Sequence, residues 1–448
     1  MKNWLGIDIG TTSLKAAVFD SEGNCLASHT EDYTLITENG LIEFEAEEYW
    51  NITLKSIKAV TEDKGLTVSG IAVDTQGETM ILTDEEGNPL RRAIVWLDNR
   101  AEEEAAEIEK KFGTEYVYNV TGQPEITAGW PASKLLWVKK HEPRVWAKTK
   151  KIFMLADYIN YKLTGVFAAD KSMQSSTIYF ELKGGKWWKE MTDFIGIDES
   201  MLPTLKESAE IIGHYKGIPV ATGALDQIAA CVGAGIIDKT AVSEMTGTTL
   251  AVCAVADTLP PFDPDCKVPC HYSAIKDSYC LILWSPTAGM ALKWFKNNFC
   301  ESFSFKELDE IAEKVPSGCE GLKMVPYLCG STIPKYDPNA RGEFTGITLA
   351  HTRAHFVRAI LEAVADMLKD NLDYIGFEGE EIRSMGGGAL SPLWCRIKAE
   401  KTGKRITTLK CKETACLGSA ILAAVAVGEF ESVADACKKI IKTDKSYQ

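Results

Sequence analysis

Hydrophobic and polar residues alternate from the start of the chain. Over residues 4–20, Leu5, Ile7 and Ile9 are separated by Gly6, Asp8 and Gly10, and a second apolar run extends from about Leu14 to Phe19. A period of two predicts half-buried strands. Gly10-Thr11-Thr12-Ser13 is the turn between them, and Ser21-Glu22-Gly23-Asn24 leads into a third strand. The period then lengthens. Tyr49, Trp50, Ile52, Ile57 and Val60 mark an amphipathic helix over 47–63. A buried strand is expected over 70–74, and short strands over 80–83 and 93–96 flank a turn at 86–89. Helices follow over 101–112, with an acidic solvated face, and through Lys134, Leu135 and Trp137. Phe356, Val357, Ile360, Leu361, Val364, Leu368 and Leu372 recur at three and four spacing, which predicts a long core helix over 355–375. A strand over 382–390 enters a glycine turn, and a small-residue helix spans 415–427.

One part of this pattern occurs twice. Residues 242–255, VSEMTGTTLAVCAV, repeat the plan strand, Gly-Thr-Thr, strand. A duplicated hairpin predicts two related domains facing each other, with a nucleotide clamped between their turns. A length of 448 residues also exceeds one ordinary core. The division is placed at 1–237 and 238–448.

Composition narrows the class. The hydrophobic share of 45% and charged share of 25% are those of a globular protein. The apolar run over 420–427 is too short for a membrane span. The thirteen Cys show no regular spacing and no secretory segment precedes the first strand, so reduced thiols and a cytoplasmic location are expected. A net charge of −14 disfavours nucleic acid and anionic membranes as partners.

Candidate chemistry falls at strand ends. Asp226 stands at the mouth of a small-residue helix, followed by Thr246-Gly247-Thr248-Thr249. Acid, spacer helix and hydroxyl-rich glycine turn suit phosphoryl transfer onto an alcohol. Gly10-Thr11-Thr12 and Gly247-Thr248 offer backbone N–H groups and hydroxyls to phosphate. Asp8, ending the first strand, is placed to hold Mg²⁺ through water. Gly386-Gly387-Gly388 would let a flat base lie against the backbone. Gln76 and Glu78, with Asp98-Asn99-Arg100 beside Trp96, set polar groups against an aromatic wall, as a sugar or polyol pocket requires. Cys266-Lys267-Val268-Pro269-Cys270-His271 supplies at most three ligands, short of a zinc set, and reads as loop and strand.

Two longer segments carry a family resemblance. GWPASKLLWVKKH over 129–141, including Lys134 and Trp137, and GEFTGITLAHTRAHFVRAILE over 342–362, including Gly346, His355 and Glu362, resemble the two signatures of the FGGY carbohydrate kinases. The paired Gly-Thr-Thr turns and the late glycine turn stand where that family keeps its phosphate and adenosine motifs. The resemblance spans essentially the whole chain. It implies an actin-like fold of two ribonuclease-H-like α/β domains with ATP and Mg²⁺ in the cleft. It implies Asp226 as catalytic base, Asp8 as the Mg²⁺-linked acid, and Thr11, Thr12, Lys15 and Thr248 as phosphate contacts. Gly387 and its neighbours would be the adenine shelf, and Gln76, Glu78, Trp96, Trp130 and Gln227 the acceptor pocket. Gly77 stands where glycerol kinases carry Arg, which predicts a roomier pocket and favours a ketopentose over glycerol. Other readings are a glycerol or polyol kinase, a chaperone-like ATPase of the same fold, and a silent sugar sensor. A homodimer is compatible with all of them.

Overall fold

The computed structural model describes residues 2–448. The first half is built on a sheet of β1 (Asn3–Ile9), β2 (Ser13–Asp20), β3 (Cys25–Asp32), β4 (Gly70–Thr75) and β5 (Ile218–Leu225), with Ile211–Tyr215 at its edge. β1 to β3 form an antiparallel meander, because each turn between them is short. β4 then runs parallel to β1, and β5 parallel to β4. A parallel neighbour needs a long crossover, and α1 (Ala46–Val60) lies in the connection from β3 to β4.

The second half repeats this. β6 (Ala241–Thr246), β7 (Leu250–Ala256) and β8 (Tyr279–Ser285) form the meander. β9 (Glu381–Met385) is parallel to β6, and β10 (Arg405–Leu409) is parallel to β9. The strand orders are β3-β2-β1-β4-β5 and β8-β7-β6-β9-β10, the same path traced twice. The long helix is α3 (Arg353–Tyr374), and α4 (Pro392–Thr402) precedes β10.

Both faces of the first sheet are covered. Leu5, Ile7, Ile9, Ile71 and Val73 pack with Tyr49 and Ile52 of α1. Trp4, Phe19 and Ala72 pack on the other side with α2 (Asp226–Ala234) and α5 (Thr414–Ala426). α5 belongs to the second half in sequence, yet it lies against β1, β4 and α2. Close approach requires its glycines. A Cβ on Gly418 would lie 1.8 Å from the Ala229 carbonyl oxygen, and one on Gly233 1.8 Å from that of Thr414. A Cβ on Gly6 would meet the Cys416 oxygen at 1.8 Å.

Two local readings change. The helix over 101–112 forms as Glu102–Phe112, but its acidic face is not wholly solvated. Glu104 turns inward, forming an ion pair with Lys140 at 3.4 Å and a 3.2 Å contact with His141 Nε2. The space left by Gly77 is not open. A Cβ there would meet Leu225 Cδ1 at 3.0 Å and Ser176 Oγ at 3.2 Å, so neighbours crowd the space next to its Cα.

Candidate active site

Three neighbouring strands end in acids. β1 and β4 run parallel in a register that pairs Asp8 with Asp74. β5 beside them ends at Leu225, opposite Thr75, and the next residue, Asp226, opens α2. Ligand sites of open α/β sheets form at the carboxyl ends of strands, where side chains face a crevice. Sequence reading missed Asp74. It lies inside an apolar run and stands out only once β4 is set beside β1.

The acids share one environment. Asp74 is fully buried; its Oδ2 accepts a 2.6 Å hydrogen bond from Ser419 of α5, while its Oδ1 has no partner. Burial pushes Asp74 well above the ordinary range, with the Asp8 charge adding to it. Asp8 is raised to about 6 by burial, opposed by Lys15, its cross-strand partner. Lys15 itself pairs with Glu413 at 2.8 Å. Asp226 is pushed up to about 8, first by burial and then by the charge of Asp8. Its Oδ1 accepts the backbone N–H of Gln227 at 2.6 Å.

Next to these acids the predicted acceptor groups assemble. The Gln76 backbone N–H donates to Ile9 at 2.9 Å, continuing the β1–β4 ladder. Its amide nitrogen donates to Tyr49 Oη at 3.3 Å, while its buried Oε1 is unpartnered. Glu78 adopts φ 53°, a strained setting for a residue with a side chain. Burial raises Glu78 to about 7, with Lys134 opposing, and lowers Lys134 to about 7. Lys134 is fully buried and donates to the carbonyls of Val95 at 2.9 Å and Trp96 at 3.3 Å. That fixes the strand end carrying Trp96. The Trp96 ring is 38% exposed, and its Nε1 donates to Thr11 Oγ1 at 3.0 Å, tying the aromatic wall to the first turn. Trp130 is half-buried and donates to the Glu125 carbonyl at 2.9 Å.

The two glycine turns differ in their support. In the first, Gly10 N–H donates to Ser13 at 3.0 Å, the Gly10 carbonyl accepts from Tyr33, and Thr12 is exposed. In the second, the Gly247 and Thr248 carbonyls accept from Gly289 and Ala288 at the start of a helix. Thr248, Gly387 and Gly388 line a cavity of ≈ 610 Å³ together with Gly247, Leu390 and Trp394. Gly386 takes φ 72°, allowing the turn from β9 into this wall. Such a volume holds a nucleotide-sized ligand. Behind it lies a buried group that sequence reading missed. Lys398 is ion-paired to Glu244 and donates to Thr246 Oγ1 at 2.8 Å. Thr246 in turn donates to Glu244 at 2.7 Å. A larger groove, ≈ 880 Å³ around Tyr116, Trp187 and Trp188, contains none of the clustered acids.

A sheet whose strands end in acids, and its duplicate carrying a glycine-walled cavity, make up a two-domain actin-like ATPase fold. The family model described as FGGY family of carbohydrate kinases, N-terminal domain, matches residues 3–233, and that of the C-terminal domain matches 251–427. The chain belongs to the FGGY family of carbohydrate kinases and is an ATP-dependent sugar kinase. The xylulose kinase of Staphylococcus epidermidis is 31% identical, over 99% of this chain and 92% of its own length. The glycerol kinase of Thermococcus onnurineus is also 31% identical, with the same coverage of 99% and 92%. Among solved structures, ligand-bound xylulose kinase from Lactobacillus acidophilus superposes with a TM-score of 0.91 at 26% identity, covering 100% of this chain and 94% of that one. Plasmodium falciparum glycerol kinase with ADP superposes at 0.91 and 25% identity, covering 100% and 94%. The chaperone-like ATPase and silent-sensor readings are set aside. No helix among the described residues is long and apolar enough to cross a membrane.

Proposed function

We propose that the chain transfers the γ-phosphoryl group of ATP to a hydroxyl of a ketopentose or related sugar, with Asp226 as the base. The observation behind this is the position of Asp226 at the end of β5, raised to about 8 by burial and by the charge of Asp8. Transfer of this kind depends on positioning and on neutralising charge. Asp226 holds the acceptor hydroxyl and takes its proton as the oxygen attacks. A positioned base of this type contributes about 10² to 10⁴ in rate.

The remaining roles are proposed on the family resemblance, with the neighbours described above as support. Gln76, through its unpartnered Oε1, and Glu78 bind sugar hydroxyls; Trp96 and Trp130 form the apolar wall, and Gln227 orients Asp226. Thr11, Thr12, Lys15, Gly247 and Thr248 face the phosphates, and Gly386 to Gly388 the adenine. Asp8 and Asp74 suit Mg²⁺: both are acidic, and Asp74 Oδ1 lacks a partner. When bound, Mg²⁺ neutralises phosphate charge.

The crowded space at Gly77 removes the argument from pocket size. The ketopentose reading therefore rests on the polar acceptor groups and on the likeness to xylulose kinases. A glycerol or other polyol acceptor is the second reading, favoured by the equal identity to a glycerol kinase. ADP release measured over xylulose, ribulose, rhamnulose, fuculose, glycerol, erythritol and gluconate decides between them. Highest kcat/KM on a ketopentose supports the proposal; highest on glycerol replaces it with the second reading. Asp226→Asn is expected to lose at least about 10²-fold in kcat while staying folded. Near-normal turnover would remove Asp226 as the base.

A further inference from the structure

Three thiols meet where the halves join. The Sγ atoms of Cys231, Cys253 and Cys280 lie within 4.8 Å of one another, and all three residues are buried. Among the described residues no other group of three or more potential metal ligands is so close. Cys231 is on α2, the helix that Asp226 opens; Cys253 is on β7 and Cys280 on β8. The β7–β8 register pairs Cys253 with Ile282 and Val255 with Cys280. With a side-chain period of two, both cysteines project from the same sheet face as diagonal neighbours. α2 crosses that face and brings Cys231 to them. Ser243 of β6 is the cross-strand partner of Cys253, and its Oγ lies 3.6 Å from Cys231 Sγ.

We propose that Cys231, Cys253, Cys280 and Ser243 form a buried structural zinc site that staples α2 to the second sheet. Tetrahedral Zn²⁺ has sulfur ligands at about 2.3 Å and oxygen at about 2.0–2.2 Å. That geometry sets sulfur–sulfur separations near ~3.8 Å and sulfur–oxygen separations near ~3.5 Å. The observed sulfur–oxygen separation of 3.6 Å and the 4.8 Å bound on the sulfurs need little rearrangement. Each thiol that ligates gives its proton to solvent, so three thiolates around Zn²⁺ leave one residual negative charge. The charge falls to that value only with a divalent ion; Cu⁺ would leave two in a dry site, which costs more. The ion enters as the chain folds, since all three cysteines are buried. Cys266, Cys270 and His271 take no part: Cys266 donates to the Pro334 carbonyl at 3.0 Å, and His271 is hydrogen-bonded to Ser175 at 3.2 Å.

The full chain, produced with zinc in the medium and dialysed against EDTA, tests this by elemental analysis and zinc K-edge absorption. About one zinc per chain, with three sulfurs and one oxygen around it, is expected. Cys280→Ala should lose the zinc and lower Tm by several degrees while retaining ADP release. Wild-type protein with less than about a tenth of an equivalent after refolding with ZnCl₂ would overturn the site. So would unchanged zinc in Cys280→Ala, or uptake of Cu⁺ alone. If that variant fails to fold, the wild-type edge spectrum decides alone: any shell other than three sulfurs and one oxygen rejects the proposal.

Discussion

Asp226 carries two opposed demands. In the proposed role of base it must be ionised, yet burial and the charge of Asp8 raise it to about 8. The active form is the deprotonated one, so kcat/KM, which reports the free enzyme, is expected to climb with pH towards about 8. A pH–rate profile checks this; a flat profile from pH 6 to 9 contradicts it. Stability has the opposite sign. Folded Asp226 holds its proton above the ordinary value of 3.8, so the folded state binds more protons than the unfolded chain between about 4 and 8. The stabilisation is full below that window and lost as pH rises through it. Asp226→Asn removes the penalty and should stabilise the unliganded protein by about 2–4 kcal/mol more at pH 8.5 than at pH 5. Urea midpoints at the two pH values measure the difference. Asp226 was legible in the sequence because it follows an apolar run and opens a helix. Asp74 was not, because its partner Ser419 is 345 residues away and only the fold joins them.

Between elements, the α2–α5 crossing has the tightest tolerance. Gly233 and Gly418 put backbone against backbone, and any side chain there must push the helices apart. Gly418→Ala, whose Cβ would sit 1.8 Å from the Ala229 oxygen, is expected to destabilise by about 3 kcal/mol or more. Urea unfolding or loss of soluble expression reports it; a change under about 1 kcal/mol would show that the crossing relaxes freely. The pair beneath the second turn is a different kind of support. Lys398→Met strands the buried Glu244 carboxylate and should cost about 3–5 kcal/mol, whereas Lys398→Met with Glu244→Leu should recover much of it. The strands and their turns were readable because local alternation specifies them. Gly77 was misleading for the converse reason: an absent side chain says nothing about which neighbours, here Leu225 and Ser176, move in.

Across the whole molecule, the acceptor groups and the nucleotide-sized cavity lie on opposite halves. The acids are on β1, β4 and α2, while every wall residue of the cavity comes from Thr246 onward. Phosphoryl transfer requires reacting atoms within about 3–3.5 Å, so the halves must approach when both ligands are present. Small-angle scattering is expected to show a smaller radius of gyration with sugar plus a non-hydrolysable ATP analogue than with either alone. An unchanged radius would mean that the cleft is already closed.

The duplicated strand–turn–strand plan, the helix periods, the family signatures and the residue types at the strand ends were all legible in the order of residues. These are local properties, carried by spacing and side-chain chemistry over a few turns of chain. The tertiary structure decided what contacts at long range impose. It set α5 against the first sheet, Asp74 beside Asp8, the Lys398–Glu244 pair behind the glycine wall, and Cys231 against Cys253 and Cys280. None of these has a sequence period, because each depends on which surfaces meet when segments far apart in the chain pack together.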